Sequence, residues 1–350
     1  MKDYLIVGAG LAGLSFAEIA IRNGKTVQIY EDASQDASSV AAGLYNPVAI
    51  KRLKAVPGAA DLMDEMNSFY ERVHSGQNYR HKIPLVRRFH SAEEQNSWFE
   101  AADSPALGRW LVPHLSNLQV AGVRAPFGFG EVRETGYVDT RPFIRAYRNL
   151  LEQEGVLVRD SFDYDALEDS GEECLYRNMR FKSVVFAEGF GLHKNPYFNH
   201  LPLSGTKGEI LLIRSEHLQL PVIVNSGIFI LPLGDGIYRV GATYGHQDKT
   251  NVPTPAGRAE LEEKLRTVLL CEFEVIGHEA GVRPTTRDRQ PLLGTHPDHQ
   301  RFAVLNGLGT RGVLFAPTLA RLLYFHLEEG APIPPNFNIN RFGSRAFGNV

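Results

Sequence analysis

The distribution of apolar residues at the beginning of the chain predicts a strand, a helix and a second strand. Residues 4–7 (YLIV) form a short continuous apolar run, which suits a parallel strand buried on both faces. A glycine-rich turn follows, and then apolar residues recur at helical spacing as far as residue 22. A second run, TVQIY, ends at residue 30. This order predicts a βαβ unit.

The far end of the chain repeats this arrangement. Residues 302–305 (FAVL) form an apolar run, residues 306–312 are rich in glycine, and residues 313–327 have the pattern of an amphipathic helix. Between the two ends, residues 209–245 alternate strand-like runs with turns such as GDG, which indicates antiparallel hairpins. The pattern as a whole predicts an α/β fold in which a second region is built on an antiparallel sheet.

Composition narrows the class of protein. The chain has 350 residues, of which 43% are hydrophobic, so it can form two domains or one large one. Its net charge of −3 disfavours a protein whose main partner is nucleic acid. No run reaches the roughly 18 apolar residues of a membrane span, and two widely spaced cysteines fit a reducing compartment, so we expect a cytoplasmic protein. The twelve histidines show no ligand spacing, and we expect no metal site.

The first glycine-rich turn has the spacing G-x-G-x-x-G. Gly8 permits a tight turn, Gly10 lets the backbone approach a pyrophosphate, and Gly13 lets the helix pack closely on the strand. Glu31 lies roughly 20 residues further on, where a carboxylate accepts hydrogen bonds from ribose hydroxyls and repels the 2′-phosphate of NADP. The dinucleotide contacts expected in this unit are Gly8, Gly10, Leu11, Ala12, Gly13 and Glu31.

Three further segments favour a flavin over a nicotinamide. Residues 38–47 (SSVAAGLYNP) are small and suited to bringing backbone amides close to a ligand. The segment KSVVFAEGFG at 182–191 is a strand followed by a glycine turn. The helix after residues 306–312 supplies a second positive helix end, which suits the negative edge of a reduced flavin. The cofactor contacts expected here are Ser39, Ala42, Gly43, Gly189, Gly307, Gly309, Thr310, Arg311 and Gly312.

These segments together resemble the D-amino acid oxidase, glycine oxidase and sarcosine oxidase family of FAD enzymes. The more specific stretches are GYVDTRPFIRAYRNLLEQEGV, GIFILPLGDGIYRVGATY, GVRPTTRDRQPLLG and NGLGTRGVLFAP, in the family's order. The resemblance implies a Rossmann-like FAD domain of the glutathione-reductase type made of residues 1–54, 140–204 and 285–350. It assigns residues 55–139 and 205–284 to a substrate domain whose antiparallel sheet roofs the flavin. FAD is expected to be non-covalent, since neither Cys174 nor Cys271 lies in the C-terminal flavin segments.

Arg283 is the main candidate for substrate binding. It stands in a GVRP context, where the family's arginine holds the substrate carboxylate, and a guanidinium can grip a carboxylate through two parallel bonds. The alternative is an internal ion pair with Glu279 or Asp288. Tyr244 falls where related oxidases place a residue beside the substrate, and packing within a sheet would explain it equally well.

Two further positions bear on the same site. Arg311, in GTRG, is expected to face the flavin or the substrate entrance, unless it is simply solvated. Phe229 stands where the resemblance to glycine oxidases leads us to expect a tyrosine hydroxyl. A phenylalanine cannot donate a hydrogen bond, so glycine itself is a doubtful substrate.

The resemblance implies oxidation of the C–N bond of an amino acid or of a secondary amine that bears a carboxylate. The hydride passes to flavin N5, the imine is hydrolysed, and oxygen or another acceptor reoxidises the flavin. One alternative is a flavin enzyme that acts on a carboxymethylaminomethyl-uridine of tRNA, which a basic surface around residues 80–88 would favour. Another is a flavin-binding dehydrogenase or subunit that uses an acceptor other than oxygen.

Overall fold

The computed structural model describes residues 1–73, 77–118 and 120–343. The last part of the predicted segment 285–350, residues 344–350, therefore lies outside the described residues. The α-helices are α1 (Leu11–Arg22), α2 (Ala37–Val40), α3 (Ala59–Arg72), α4 (Ala92–Ala102), α5 (Thr140–Gln153), α6 (Pro255–Val268) and α7 (Gly312–Glu329).

The first large sheet has eight strands and contains both predicted strand–turn–helix units. Its strands are β1 (Lys2–Val7), β2 (Val27–Tyr30), β10 (Leu157–Val158), β11 (Leu167–Asp169), β12 (Cys174–Tyr176), β13 (Met179–Phe186), β19 (Leu292–Thr295) and β20 (Phe302–Asn306). Strands β10, β2, β1, β13 and β20 run parallel in that order; β2 and β20 are wholly buried, and β1 and β13 are buried at their carboxyl ends. This is the doubly covered parallel arrangement that continuous apolar runs predict.

The second large sheet has seven strands in the order β18, β14, β17, β16, β15, β7 and β8. The bounds are β7 (Leu85–Arg88), β8 (Phe129–Val132), β14 (Thr206–Arg214), β15 (Ile223–Asn225), β16 (Phe229–Gly234), β17 (Ile237–Gly241) and β18 (Glu274–Arg283). Its neighbours are antiparallel except β7 and β15. One face packs on Leu261, Leu265 and Val268 of α6. The opposite face is turned towards the region of the first sheet, where Gly281 of β18 lies close to α2.

The remaining strands join the two regions. Strands β3 (Leu44–Tyr45), β6 (Arg80–Lys82) and β9 (Gly136–Val138) form a small sheet in the order β3, β9, β6, and β4 (Val48–Ala49) pairs with β5 (Lys54–Ala55). The first large sheet thus draws on residues 2–30, 157–186 and 292–306, and the second on 85–88, 129–132 and 206–283. This interleaving supports the predicted discontinuous division, which stays a prediction.

Two features are absent from residues 1–73, 77–118 and 120–343. No helix there is long and apolar enough to cross a membrane. Within the same residues, no three side chains of histidine, cysteine, aspartate or glutamate cluster in a way that could hold a metal ion.

Candidate active site and cofactor cleft

A cleft of about 300 Å³ lies at the carboxyl ends of the central parallel strands. This edge is where open α/β sheets bind ligands. Of the predicted cofactor contacts, the following line it: Gly8, Gly10, Leu11, Ala12, Glu31 and Gly189. The others lie outside its lining: Gly13, Ser39, Ala42, Gly43, Gly307, Gly309, Thr310, Arg311 and Gly312. Sequence reasoning missed Glu188, Asn306 and Leu308, which also line it.

Close packing leaves little or no room for a side chain at the three glycine positions Gly8, Gly10 and Gly13. Gly8 has φ +97°, and a Cβ there would lie 2.6 Å from the carbonyl oxygen of Ala187. A Cβ on Gly13 would lie 1.9 Å from the carbonyl oxygen of Gly8, so α1 sits directly on the end of β1. A Cβ on Gly10 would approach Ser38 Oγ to 3.1 Å, at the wall of the cleft. A larger residue at any of these positions would fill space or displace backbone.

Glu31 is fixed at the cleft by three groups. Its Oε2 accepts a hydrogen bond from the amide of Ala9 at 2.6 Å, and its Oε1 accepts one from the amide of Ala33 at 2.8 Å. Arg148 of α5 places Nη2 3.2 Å from the same Oε2 and donates from Nε to the carbonyl of Ala9 at 2.8 Å. The carboxylate is therefore oriented beside the glycine turn before any ligand arrives. Sequence reasoning missed Arg148 because only the tertiary fold brings α5 to this point.

The second glycine-rich turn meets the first. A Cβ on Gly312, the first residue of α7, would lie 3.0 Å from Leu11 Cδ1 at the start of α1. Asn306 at the end of β20 donates from Nδ2 to the carbonyl of Gly189 at 3.0 Å. The turn has glycines at φ +72° (Gly307) and +58° (Gly309), and Thr310 at its tip is exposed. Two helix N-termini, with their partial positive charges, are thus next to each other at one end of the cleft.

Arg311 holds the predicted loop 38–47 against this turn. Its Nη1 donates to the carbonyl of Asn46 at 3.2 Å and its Nη2 to that of Val48 at 3.4 Å, and burial lowers the pKa of the guanidinium. In the same loop Ala42 is buried, and a Cβ on Gly43 would lie 1.8 Å from the carbonyl of Val138. The carbonyl of Ser39 accepts from Arg141 Nε at 3.3 Å. In this structure Arg311 therefore positions a loop.

These features fit a flavin adenine dinucleotide. Glu31 lies at one end of the cleft and Asn306 with Leu308 at the other, as an elongated ligand requires. Gly189, with φ +58°, lines it with open space around its missing side chain, since nothing lies within 4 Å of a Cβ built there. The amides of Gly8 and Ala9 donate to Tyr30 and Glu31 within the protein, so a diphosphate would bind at the start of α1, where the helix carries its partial positive charge. Such a cradle suits a dinucleotide that lies close against backbone.

Glu188 introduces a carboxyl group into the same cleft. Tyr164 donates its hydroxyl to Oε1, and Asn195 Nδ2 donates to Oε2 at 2.8 Å. Burial is the main reason that the pKa of Glu188 is raised to about 7, and the charge of Asp32 adds to this effect. The proton on Glu188 is thus lost near neutral pH, in the cleft that would hold a diphosphate.

We expect Glu188 to make the folded apoprotein less stable as the pH rises. Its ordinary pKa is 4.5 and its folded pKa is about 7, so the folded state binds the proton more tightly, and this stabilisation is lost between these two values. Urea unfolding at several pH values should show the decline in the parent protein and a flatter profile in Glu188→Gln. Replacing the exposed Glu172 with glutamine is the control. Equal slopes in all three proteins would contradict the assignment.

The second sheet places Arg283 on the face opposite α6. Arg283 pairs with Thr206 across β18 and β14, and its Nη1 donates to the carbonyl of Thr243 at 3.2 Å. Its guanidinium lies over Gly208, where a Cβ would come within 2.0 Å of Nη2. Burial lowers the pKa of Arg283. The ring of Tyr244, which is 61% exposed, lies 4.8 Å from the guanidinium carbon.

The acidic partners proposed for Arg283 in the alternative interpretation are bound elsewhere. Glu279 pairs with Arg141 at 2.7 Å, and Asp288 pairs with Arg341 at 2.8 Å. No carboxylate in the described part of the chain forms an ion pair with Arg283. The guanidinium is largely buried and keeps donors available for a ligand.

Phe229 lies on the same face as Arg283. It pairs with Gly241 across β16 and β17, and a Cβ on Gly241 would lie 2.8 Å from its Cζ. The ring thus covers the backbone of β17 on the face of the sheet that also carries Arg283. It provides an apolar wall and no hydrogen bond donor.

Known proteins resemble this chain along nearly its whole length. The family model described as FAD dependent oxidoreductase (DAO) matches residues 3–325. A glycine oxidase of Pseudomonas aeruginosa is 24% identical over 94% of this chain and 95% of its own length. A bifunctional tRNA 5-methylaminomethyl-2-thiouridine biosynthesis protein of Marinobacter nauticus is 24% identical over 91% of this chain. The chain spans only 54% of that second relative.

A solved structure agrees with these relatives at the level of the fold. The iminodiacetate oxidase of Chelativorans sp. superposes with a TM-score of 0.77 at 20% identity, and the match covers 95% of this chain and 97% of the other. The fold, the dinucleotide cleft and the family match agree with each other. The chain belongs to the DAO family of FAD-dependent oxidoreductases.

Proposed function

We propose that this protein oxidises the C–N bond of a small amine that carries a carboxylate, with release of an imine that water hydrolyses. The observation that carries the proposal is the largely buried Arg283, which has no acidic partner among the residues described and lies on the face that looks towards the cofactor domain. A glycine oxidase and a fold neighbour described as an iminodiacetate oxidase support it, since both act on amines of this class.

Each residue of the site contributes a definite task. Arg283 would bind the carboxylate through two of its donors, while Gly208 leaves room for the guanidinium and Thr243 holds its other edge. Phe229 would exclude water on one side of the substrate. Bound FAD supplies the acceptor for the hydride that leaves the carbon beside the nitrogen. Orientation and electrostatics then suffice, without an acid–base pair from the protein.

A tRNA substrate is the second candidate, because one relative is a tRNA-modifying enzyme. The basic stretch that would favour it is largely occupied within the protein. Arg80 pairs with Glu71, Arg87 with Glu94 at 2.7 Å, and Arg88 donates to Ser226 at 3.1 Å. Among the described residues of this stretch, Lys82 and Arg88 keep charges without an acidic partner, which is a small number for binding a phosphate backbone and favours the free amine.

The test is anaerobic reduction of the flavin. The FAD-loaded protein is mixed with glycine, sarcosine, proline, iminodiacetate and other D- and L-amino acids, and the visible flavin band is followed. We expect at least one of these amines to bleach the band. Bleaching without oxygen consumption in air would favour a dehydrogenase, and bleaching only by tRNA that carries carboxymethylaminomethyl-uridine would favour the second candidate. A band that no free amine bleaches would contradict the proposal.

A further inference from the structure

A second arginine lies on the same face of the roof sheet as Arg283. Arg239 in β17 is directly opposite Leu212 of β14, and Arg283 in β18 is directly opposite Thr206 of β14. Directly opposed residues in antiparallel strands share a face, and so do alternate residues of one strand. Residues 206 and 212 are an even number of positions apart. Arg239 and Arg283 therefore point to the same side of the sheet.

That side looks towards the cofactor domain. Gly281 pairs with Gly208 on the same face, and a Cβ on Gly281 would lie 3.2 Å from Cα of Ala37 and 3.5 Å from Cβ of Val40 in α2. Helix α2 belongs to the loop that borders the cofactor cleft, since Ala37 lines it. Arg239 thus shares with Arg283 the face of the sheet that is turned towards the cofactor domain.

The guanidinium of Arg239 has no hydrogen bond or ion pair in the part of the chain that the structure describes. Its Nη1 is buried without an acceptor. Burial lowers the pKa of Arg239, and the charges of Asp139 and Glu279 act in the opposite direction. Glu279 is already bonded to Arg141, and Asp139 is too far away for an ion pair. A buried donor without an acceptor costs roughly 1–3 kcal/mol, which a bound acceptor would remove.

Two other arginines in this sheet have acidic partners, and Arg88 in β7 forms hydrogen bonds to groups without a charge. Arg87 in β7 pairs with Glu94 at 2.7 Å, and Arg214 at the end of β14 lies 3.7 Å from Glu274. Arg239 differs from these three because it is half-buried on the inner face and its buried Nη1 has no hydrogen bond partner among the described residues. A cation in this state is poised to bind an oxyanion.

We propose, on the basis of the proposed function, that Arg239 binds a second acidic group on the substrate and makes the enzyme selective for amines that carry two acids. The guanidinium of Arg283 lies over Gly208, whereas Arg239 stands opposite Leu212, four positions along β14. Four positions span about 13 Å in a strand, and the long arginine side chains can reach towards each other and shorten the distance between the two guanidinium groups. The second acid therefore lies several bonds from the carboxylate that Arg283 holds.

The test is a length series of diacids with matched monoacids. The diacids are iminodiacetate, N-(2-carboxyethyl)glycine and N-(3-carboxypropyl)glycine, and their partners are sarcosine, N-ethylglycine and N-propylglycine. A phosphate as the second acid is tested with 5-carboxymethylaminomethyluridine, with and without its 5′-phosphate. The half-saturating concentration for anaerobic flavin reduction is measured in the parent protein, Arg239→Gln, Arg239→Lys and the exposed control Arg214→Gln.

We expect the parent to prefer one length of diacid, or the phosphorylated nucleoside, over its matched partner. Arg239→Gln should raise the half-saturating concentration of that compound about 10- to 100-fold and leave the values for the monoacids unchanged within about 2-fold. Arg239→Lys should retain part of the preference, and Arg214→Gln all of it. A role of Arg239 in structure alone would weaken both classes equally.

Three results would overturn the inference. The first is a parent protein that the monoacids reduce as well as the diacids and the nucleotide. The second is an Arg239→Gln variant in which the half-saturating concentrations of diacid and monoacid rise by the same factor. If that variant does not retain FAD, the same result in Arg239→Lys would overturn the inference. The third is a flavin that no compound of the series or of the amino-acid panel reduces, which would remove the proposed function as well.

Discussion

Replacing Arg283 with alanine is expected to lower kcat/KM for the amine substrate about 100- to 10,000-fold. The variant loses two charge-assisted hydrogen bonds to the carboxylate, each of roughly 1.5–3 kcal/mol. It also leaves the substrate carboxylate without a counter-charge in a largely buried site. In the parent protein no acidic side chain of the described residues pairs with Arg283, so its charge is available to the substrate. Stopped-flow reduction of the flavin over a range of substrate concentrations measures the loss.

Gly208→Ala tests the same contact without removing a charge. The added Cβ would lie 2.0 Å from Nη2 of Arg283, so the guanidinium must move, and we expect a loss in the same direction. Arg283→Lys keeps the charge and loses the planar fork, so it should fall between parent and alanine variant. Arg214→Ala, on an exposed end of the same sheet, is the control. Normal half-saturation in Arg283→Ala would mean that another group holds the carboxylate.

Replacing Arg148 with methionine is expected to abolish retention of FAD and to lower the free energy of unfolding of the apoprotein by about 3 kcal/mol or more. Arg148 and Glu31 are only 9% and 7% exposed, so removing the cation leaves a buried carboxylate beside the glycine turn without its charged partner. The carbonyl of Ala9 loses its donor in the same change. Urea unfolding and titration of the apoprotein with FAD measure the two effects.

The matched control is Arg159→Met. Arg159 pairs with Glu152 at 2.8 Å, and both side chains are more than 40% exposed, so its loss should cost less than about 1 kcal/mol. The double variant Glu31→Gln with Arg148→Met should regain part of the stability, because it removes the uncompensated charge. Equal losses from Arg148→Met and Arg159→Met would contradict the role given to the buried pair.

Local patterns in the sequence were enough to predict the elements at both ends of the chain. Gly8 and Gly10 of the predicted turn lie between β1 and α1, Gly13 lies in the first turn of α1, and α7 begins at Gly312, one residue before the predicted start. Pro317 lies within α7, which nevertheless continues to Glu329. Buried parallel strands are continuous apolar runs, and glycine turns have few alternatives, so both leave a clear signal.

The residues missed by sequence reasoning depend on contacts between distant segments. Arg148 stands in an ordinary amphipathic helix, and nothing nearby in sequence shows that it reaches Glu31. Glu188 is one charged residue after an apolar strand, and its pKa is raised by burial in the folded protein, against the opposing hydrogen bonds from Asn195 and Tyr164. The absence of an acid next to Arg239 required the register of β14 and β17.

The contact between the starts of α1 and α7 has a consequence for how the protein is made. The cleft is completed by Asn306 and Leu308, and the helix that packs against Leu11 begins at Gly312. The ribosome must therefore synthesise the roughly 300 residues between the first glycine turn and α7 before that turn can enclose a cofactor. Strand β1 pairs with β13, whose residues come roughly 180 positions later, so the central sheet also closes late. FAD is thus bound only after α7 has been synthesised, and its supply can limit the yield of active protein without limiting translation.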